Sequence, residues 1–259
     1  MAVTLYTNVE IGQIPSTPAQ PYFDSPLLDT AKNTLLSYAE LLGHPISFIQ
    51  EQNGALIQNI LPVHKTEYDQ ISTSSKVNLA LHTETAFHPY KPDYVMLLCL
   101  RGDPSAVTTY ANVEDIIKLL DKEMIIYLQD YAYVTGIDQS FRSPNKKYKE
   151  VTLSILKKIK EDEYNFVFDQ DLMRPKNILA SMALDKLGEA ISKCIKEVVL
   201  QTGDLLVIDN NKTIHGRKPF QPRYDGTDRW VQRMLVSKKL PPSKEINKHM
   251  ITTTFELEQ

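Results

Sequence analysis

Periodicity along the chain predicts one N-terminal helix followed by mostly short strands. Leu28, Ala31, Leu35, Tyr38 and Leu42 recur at helical spacing, Ser25 and Pro26 suit an N-cap and first turn, and Gly43-His44-Pro45 ends the run. A helix is therefore expected over 25–42. Short strands are expected at Ala55–Ile60, at the alternating Val77–Leu81, and at Tyr94–Leu100, whose unbroken apolar run fits burial on both faces. Val107–Ala111 leads to Asn112, a cap for a helix over 113–120, with a second helical stretch at 121–130. Residues 135–149 are polar and aperiodic, with Gly136 and Pro144, and read as a lid loop. Strands follow at Tyr164–Phe168, at Leu205–Asp209 after the Gly203-Asp204 turn, and at Trp230–Ser237 after Tyr224-Asp-Gly-Thr-Asp. Between them, 178–200 reads as a long amphipathic helix with Leu184, Leu187, Ile191, Cys194, Ile195 and Val198 on its buried side. Many short strands with few long helices favour a mainly β fold of two facing sheets, a jelly roll with flanking helices.

Composition narrows the class of function. The 259 residues are 42% hydrophobic and 24% charged, ordinary for a globular protein. No repeat, low-complexity segment or flexible linker interrupts them, so one domain over 1–259 is the simplest organisation. A net charge of −3 gives no electrostatic case for nucleic acid, and no apolar run is long enough for a membrane span. The first residues show no secretory signal, and Cys99 and Cys194 lie in apolar contexts as expected of reduced thiols, which together point to the cytoplasm.

The candidate chemistry rests on His82, Glu84 and His215. In an extended strand, residues two apart share a face, so His82 and Glu84 can aim at one metal from a strand end. Two imidazoles and one carboxylate form the facial triad of non-haem Fe(II) sites, which leaves the other coordination positions open. A zinc hydrolase could use the same donors, but no His-Glu-x-x-His motif is present. His88 is a competing ligand or a cavity-wall residue, whereas His44, His64 and His249 sit in helix-end, loop and tail contexts.

Two blocks carry a family resemblance. The run from His82 through Thr-Glu-Thr-Ala-Phe-His-Pro-Tyr-Lys-Pro-Asp-Tyr to Arg101 resembles clavaminate synthase-like oxygenases. So does the run from Gly203-Asp-Leu-Leu-Val-Ile-Asp-Asn-Asn-Lys-Thr-Ile-His-Gly-Arg to Asp228-Arg-Trp-Val-Gln-Arg233. These enzymes are related to taurine dioxygenase and use Fe(II), 2-oxoglutarate and O2. The resemblance is clear over 45–112 and 160–237 and implies a distorted double-stranded β-helix.

The resemblance further implies iron ligation by His82, Glu84 and His215. Arg229 matches the arginine that grips the far carboxylate of 2-oxoglutarate, helped by Thr108 or, one register away, Thr109. Arg233 matches the arginine for the α-carboxylate of an amino-acid substrate. Glu51 or Gln52, with Ser72 or Thr73, falls in the segment contacting the α-amino group. Asp169 and Asp171 match an Asp-x-Asp that binds a guanidinium. Halogenating relatives carry Gly or Ala in place of the carboxylate ligand, so Glu84 argues against halogenation. The expected reaction is oxidation at C3 or C4 of a free L-amino acid, most naturally arginine or lysine. Asparagine, a modified or carrier-bound amino acid, and desaturation or cyclisation remain open. A non-catalytic jelly-roll binding module is the alternative of a different class.

Overall fold

The computed structural model describes residues 2–161 and 163–257. Two sheets dominate it. The larger has eight strands in the order Val3–Tyr6, Leu205–Asp209, Tyr94–Arg101, Trp230–Ser237, His44–Phe48, Met250–Ile251 and Ile246–Asn247, with Ile57–Ile60 also paired to Trp230–Ser237. Its pairings are antiparallel except that between Met250–Ile251 and His44–Phe48. The smaller is antiparallel, in the order Lys196–Val198, Thr108–Asn112, Thr213–Arg217 and Leu79–His82. The chain crosses repeatedly between the sheets, as the double-stranded β-helix requires.

The period-2 rule explains both covered faces of the large sheet. Along Tyr94–Arg101, Val95, Leu97 and Cys99 pack with Phe48, Val231 and Leu235. Met96, Leu98 and Leu100 point the other way, onto Leu28, Ala31, Leu35 and Ala39 of the N-terminal helix. That helix begins as a 3-10 turn, Pro26–Leu28, with the Ser25 hydroxyl accepting from Leu27 N, and continues as α-helix Asp29–Glu40.

The same rule divides the small sheet between core and chemistry. Leu81, Ala111 and Ile214 face a core closed by Ala183, Leu187 and Ile191 of the helix Ile178–Cys194. His82 and His215, one position on, face the opposite way, toward a cavity between the sheets. Truncating one of the buried aliphatic neighbours would cost about 2–5 kcal/mol, so the imidazoles stand on a firmly packed layer.

Several elements differ from expectation. The helix expected over 178–200 stops at Cys194, and Lys196–Val198 forms a strand on Thr108–Tyr110 instead. Ile195 and Val198 thus leave the helix: a β-branched, cross-strand-paired segment outcompetes a continuing helical period. The 113–120 helix is α only over Val113–Ile116, then 3-10 over Ile117–Leu119. Asn112 accepts from the Thr213 hydroxyl rather than capping it. The strand expected at Tyr164–Phe168 runs over Glu163–Phe166 and pairs with Leu156–Lys160, a polar strand with no apolar alternation to reveal it. The 135–149 segment holds a 3-10 turn, Gln139–Phe141, and Phe141 packs edge-on against Phe48 and Phe87.

Candidate active site

His82 ends its strand and lies directly opposite His215 across the sheet. Their ring centroids are 4.6 Å apart. Glu84 follows in the turn rather than on the strand, and its Oε2 lies 3.6 Å from His215 Nε2. One ligand atom from each of the three residues falls within 4.8 Å of the others.

Local hydrogen bonds fix this arrangement. A carbonyl can only accept, so the 2.8 Å contact makes His82 Nδ1–H the donor to Ala80 O and leaves Nε2 as the ring nitrogen available to a metal. The turn carrying Glu84 is clamped by buried Asn210: Glu84 N donates to Asn210 Oδ1 at 2.8 Å, and Asn210 Nδ2 donates to Glu84 O and Pro92 O at 3.1 and 2.8 Å. Gly216 permits the close strand contact beside His215, since a Cβ there would lie 2.5 Å from Leu79 O.

Burial alone would raise the Glu84 carboxyl, but the Arg233 guanidinium and the two imidazoles hold it well below the usual range. Burial lowers His215 despite its contact with Glu84. The cluster thus presents two imidazoles and a carboxylate, a donor set suited to a borderline divalent cation such as ferrous iron. His215 Nδ1 is buried with no partner, so hydrogen bonding leaves this imidazole uncommitted on that side. His88 stands apart from the cluster. It sits among Phe48, Phe87, Tyr90 and Phe255, accepts from Tyr90 N at 2.9 Å, and is pushed down to about 3 by burial. This aromatic cage removes it as a competing ligand.

The cavity beside the cluster is lined from both sheets. Arg229, just before the strand Trp230–Ser237, lines it too, buried and with no hydrogen bond or ion pair among the described residues. Burial lowers its pKa. A desolvated cation with no protein partner is costly by several kcal/mol, and an incoming anion would offset that cost. Arg217 also lines the cavity, pushed down to about 9 by burial and then by the charge on Arg229.

Arg233 differs: its charge is already met inside the protein. It donates to Glu84 Oε1 at 2.9 Å, to Glu51 Oε1 at 2.8 Å, and through Nε to Gln58 Oε1 at 2.9 Å. Its pKa is raised, because Glu51 and Glu84 outweigh burial. Glu51 Oε2 is left buried without a donor.

The remaining expected residues divide clearly. Thr108 lines the cavity, whereas Thr109 lies off it, beside Gly216. Glu51 and Ser72 line the cavity. Gln52 and Thr73 do not: the Gln52 amide pairs with the Asn59 backbone and the Thr73 hydroxyl with Thr66. Asp169 is buried, pairs with His82 through the backbone as an isolated antiparallel β-bridge, and uses Oδ1 to accept from Asp171 N and Leu172 N at 2.9 and 2.7 Å. Asp171 is exposed at the rim, so the two acids meet at the cavity through a turn rather than along a strand. Burial raises the Asp169 pKa.

Asp138 is the residue that pattern reading missed. It reaches the cavity from the 135–149 segment and is held well above the usual carboxyl range by burial and by Asp169, Glu84 and Glu51. Its sequence context, a lone acid in a polar loop, offers no signal.

Comparison with known proteins agrees with this geometry. Residues 26–235 match the model for the taurine catabolism dioxygenase TauD, TfdA family. An L-lysine 3-hydroxylase of Catenulispora acidiphila is 34% identical over 76% of this chain and 56% of its own length. An L-asparagine oxygenase of Streptomyces coelicolor is 36% identical over 81% of this chain and 62% of its own. The chain therefore matches little more than half of some curated relatives. Among solved structures, asparagine oxygenase with Fe(II), 3-hydroxyasparagine and succinate superposes with a TM-score of 0.87 at 30% identity, covering 98% of this chain and 80% of that one. The non-heme iron oxygenase OrfP with Fe and alpha-ketoglutaric acid gives 0.87 at 30% identity over 97% and 80%. The match along most of the chain and a fold shared with iron oxygenases place this protein in the TauD/TfdA dioxygenase family.

Proposed function

We propose that this protein is an Fe(II)- and 2-oxoglutarate-dependent oxygenase that hydroxylates C3 or C4 of a free basic L-amino acid. The observation that carries the reading is one cavity holding the His82–Glu84–His215 cluster and the unpartnered Arg229 guanidinium. Bound iron, with 2-oxoglutarate as reductant, supplies the oxygen chemistry. The chain's own residues position the substrates.

Arg229 receives the distal carboxylate of 2-oxoglutarate through its planar fork, with Thr108 alongside. Arg233 takes the substrate α-carboxylate, and the free Glu51 Oε2 takes the α-ammonium. The substrate's cationic tip meets Asp169, Asp171 and Asp138. Their crowding favours a cation, because a positive group relieves the mutual repulsion that, together with burial, raises the Asp138 pKa. The 135–149 segment serves as a lid that excludes water, with Phe141 as its apolar anchor.

An amino-acid panel tests this directly. Enzyme, Fe(II) and 2-oxoglutarate are mixed with each amino acid without oxygen, then exposed to it and read by mass spectrometry. Arginine, lysine or ornithine should gain one oxygen atom with matching succinate. A gain confined to asparagine, whose oxygenase is a structural relative, would replace the basic substrate. Asp169→Asn with Asp171→Asn should raise KM for the basic amino acid roughly tenfold or more and leave a neutral one less affected. Equal effects on both would make that pair structural.

A further inference from the structure

We propose that Arg217 is a second anchoring cation for the distal carboxylate of 2-oxoglutarate, acting from the strand that also carries His215. The proposal rests on the cosubstrate reading above and adds a residue to it. Arg217 and His215 are two apart on one strand, and Arg217 lies directly across the sheet from Thr108. Thr108, Arg217 and Arg229 line the same end-to-end cavity as the metal cluster. The side chain is 4% exposed, and its Nε is buried without a partner.

A guanidinium has five N–H donors. Arg217 directs Nη1 to Ser72 O at 3.2 Å and Nη2 to the Ser74 hydroxyl at 2.9 Å. Phe220 covers the guanidinium, with its ring centroid 5.1 Å away. Among the described residues no carboxylate pairs with it, and Arg229, another cation, lines the same cavity. Two buried like charges facing one cavity are unfavourable unless an anion arrives from outside the chain. Arg233, by contrast, has its charge met by two carboxylates of the chain, Glu51 and Glu84. The grip on Ser72 O adds a consequence. Ser72 also lines the cavity, so the group that feels the cosubstrate's charge also holds part of the substrate wall.

The test compares two 2-oxo acids that chelate iron identically. 2-Oxopentanoate carries a methyl group where 2-oxoglutarate has its distal carboxylate. The oxygen-free ferrous enzyme is titrated with each, and binding is read from the visible charge-transfer absorption of the chelate. Thermal melting shows that each variant is folded. Arg217→Met should weaken 2-oxoglutarate roughly ten- to a hundredfold and leave 2-oxopentanoate unchanged. Arg217→Lys, which keeps the charge and loses the fork, should fall between, and it carries the test if the methionine variant does not fold. Equal weakening of both acids would make Arg217 a structural residue and overturn the proposal, as would no change in either. A wild-type protein that forms no chelate with either acid removes the cosubstrate reading and this proposal together. Normal wild-type binding with undiminished variants removes the proposal alone.

Discussion

Arg229 and Arg233 carry the same charge on neighbouring stretches of chain, yet their surroundings separate their tasks. Arg233 is compensated by Glu51 and Glu84, whereas buried Arg229 makes no hydrogen bond or ion pair among the described residues. Arg229→Met should therefore raise the 2-oxoglutarate KM by one to two orders of magnitude with a smaller change in the amino-acid KM. Steady-state succinate release measures both, and an unchanged 2-oxoglutarate KM would remove Arg229 from the cosubstrate subsite. His88 supports a prediction about pH. Burial pushes it down to about 3, below its ordinary value of 6.5, so the unfolded chain binds the proton first. Stability is then intact above about 6.5 and falls as pH drops toward 3, by up to about 1.4 kcal/mol per pH unit. His88→Phe should flatten this acid limb in denaturant titrations between pH 6 and 4; an unaltered slope would assign the limb to other groups. At this scale the triad was legible because ligand chemistry needs particular residue types at short spacing. Asp138 was not, since only the folded loop brings it to the other acids. The choices between Thr108 and Thr109, and between Glu51 and Gln52, depended on side-chain direction in strand and turn, which spacing alone does not fix.

The small sheet turns a two-residue period into a division of labour between elements. Leu81 and Ile214 bind the strands to the helix Ile178–Cys194, and His82 and His215 thereby face the cavity. Gly216 is the tight point, with no room for a methyl group against Leu79 O. Gly216→Ala should spread the two histidine strands, destabilise the fold by about 1–3 kcal/mol, and weaken metal binding. Calorimetric melting and metal titration check the two effects, and a variant with wild-type values in both would show that the strands tolerate separation. The central strands were legible because one face or both are apolar. The polar hairpin strand Leu156–Lys160 and the strand Lys196–Val198 were not, because cross-strand partners distant in sequence define them.

At the scale of the whole molecule, residues far apart in sequence converge because the two sheets share a cavity. The large sheet contributes Arg233 and, just before the same strand, Arg229; the small sheet contributes His82, Thr108, His215 and Arg217, and the 135–149 segment Asp138. Sequence motifs pointed to the jelly-roll family, and the fold shared with asparagine oxygenase and OrfP agrees. The most direct test of the metal assignment is an oxygen-free titration of Fe(II) into protein saturated with 2-oxoglutarate, followed by visible absorption, for the wild type and His215→Ala. The wild type should develop the charge-transfer band to an equimolar endpoint, and the variant should develop none. The same band and endpoint in His215→Ala would show that the iron is held elsewhere.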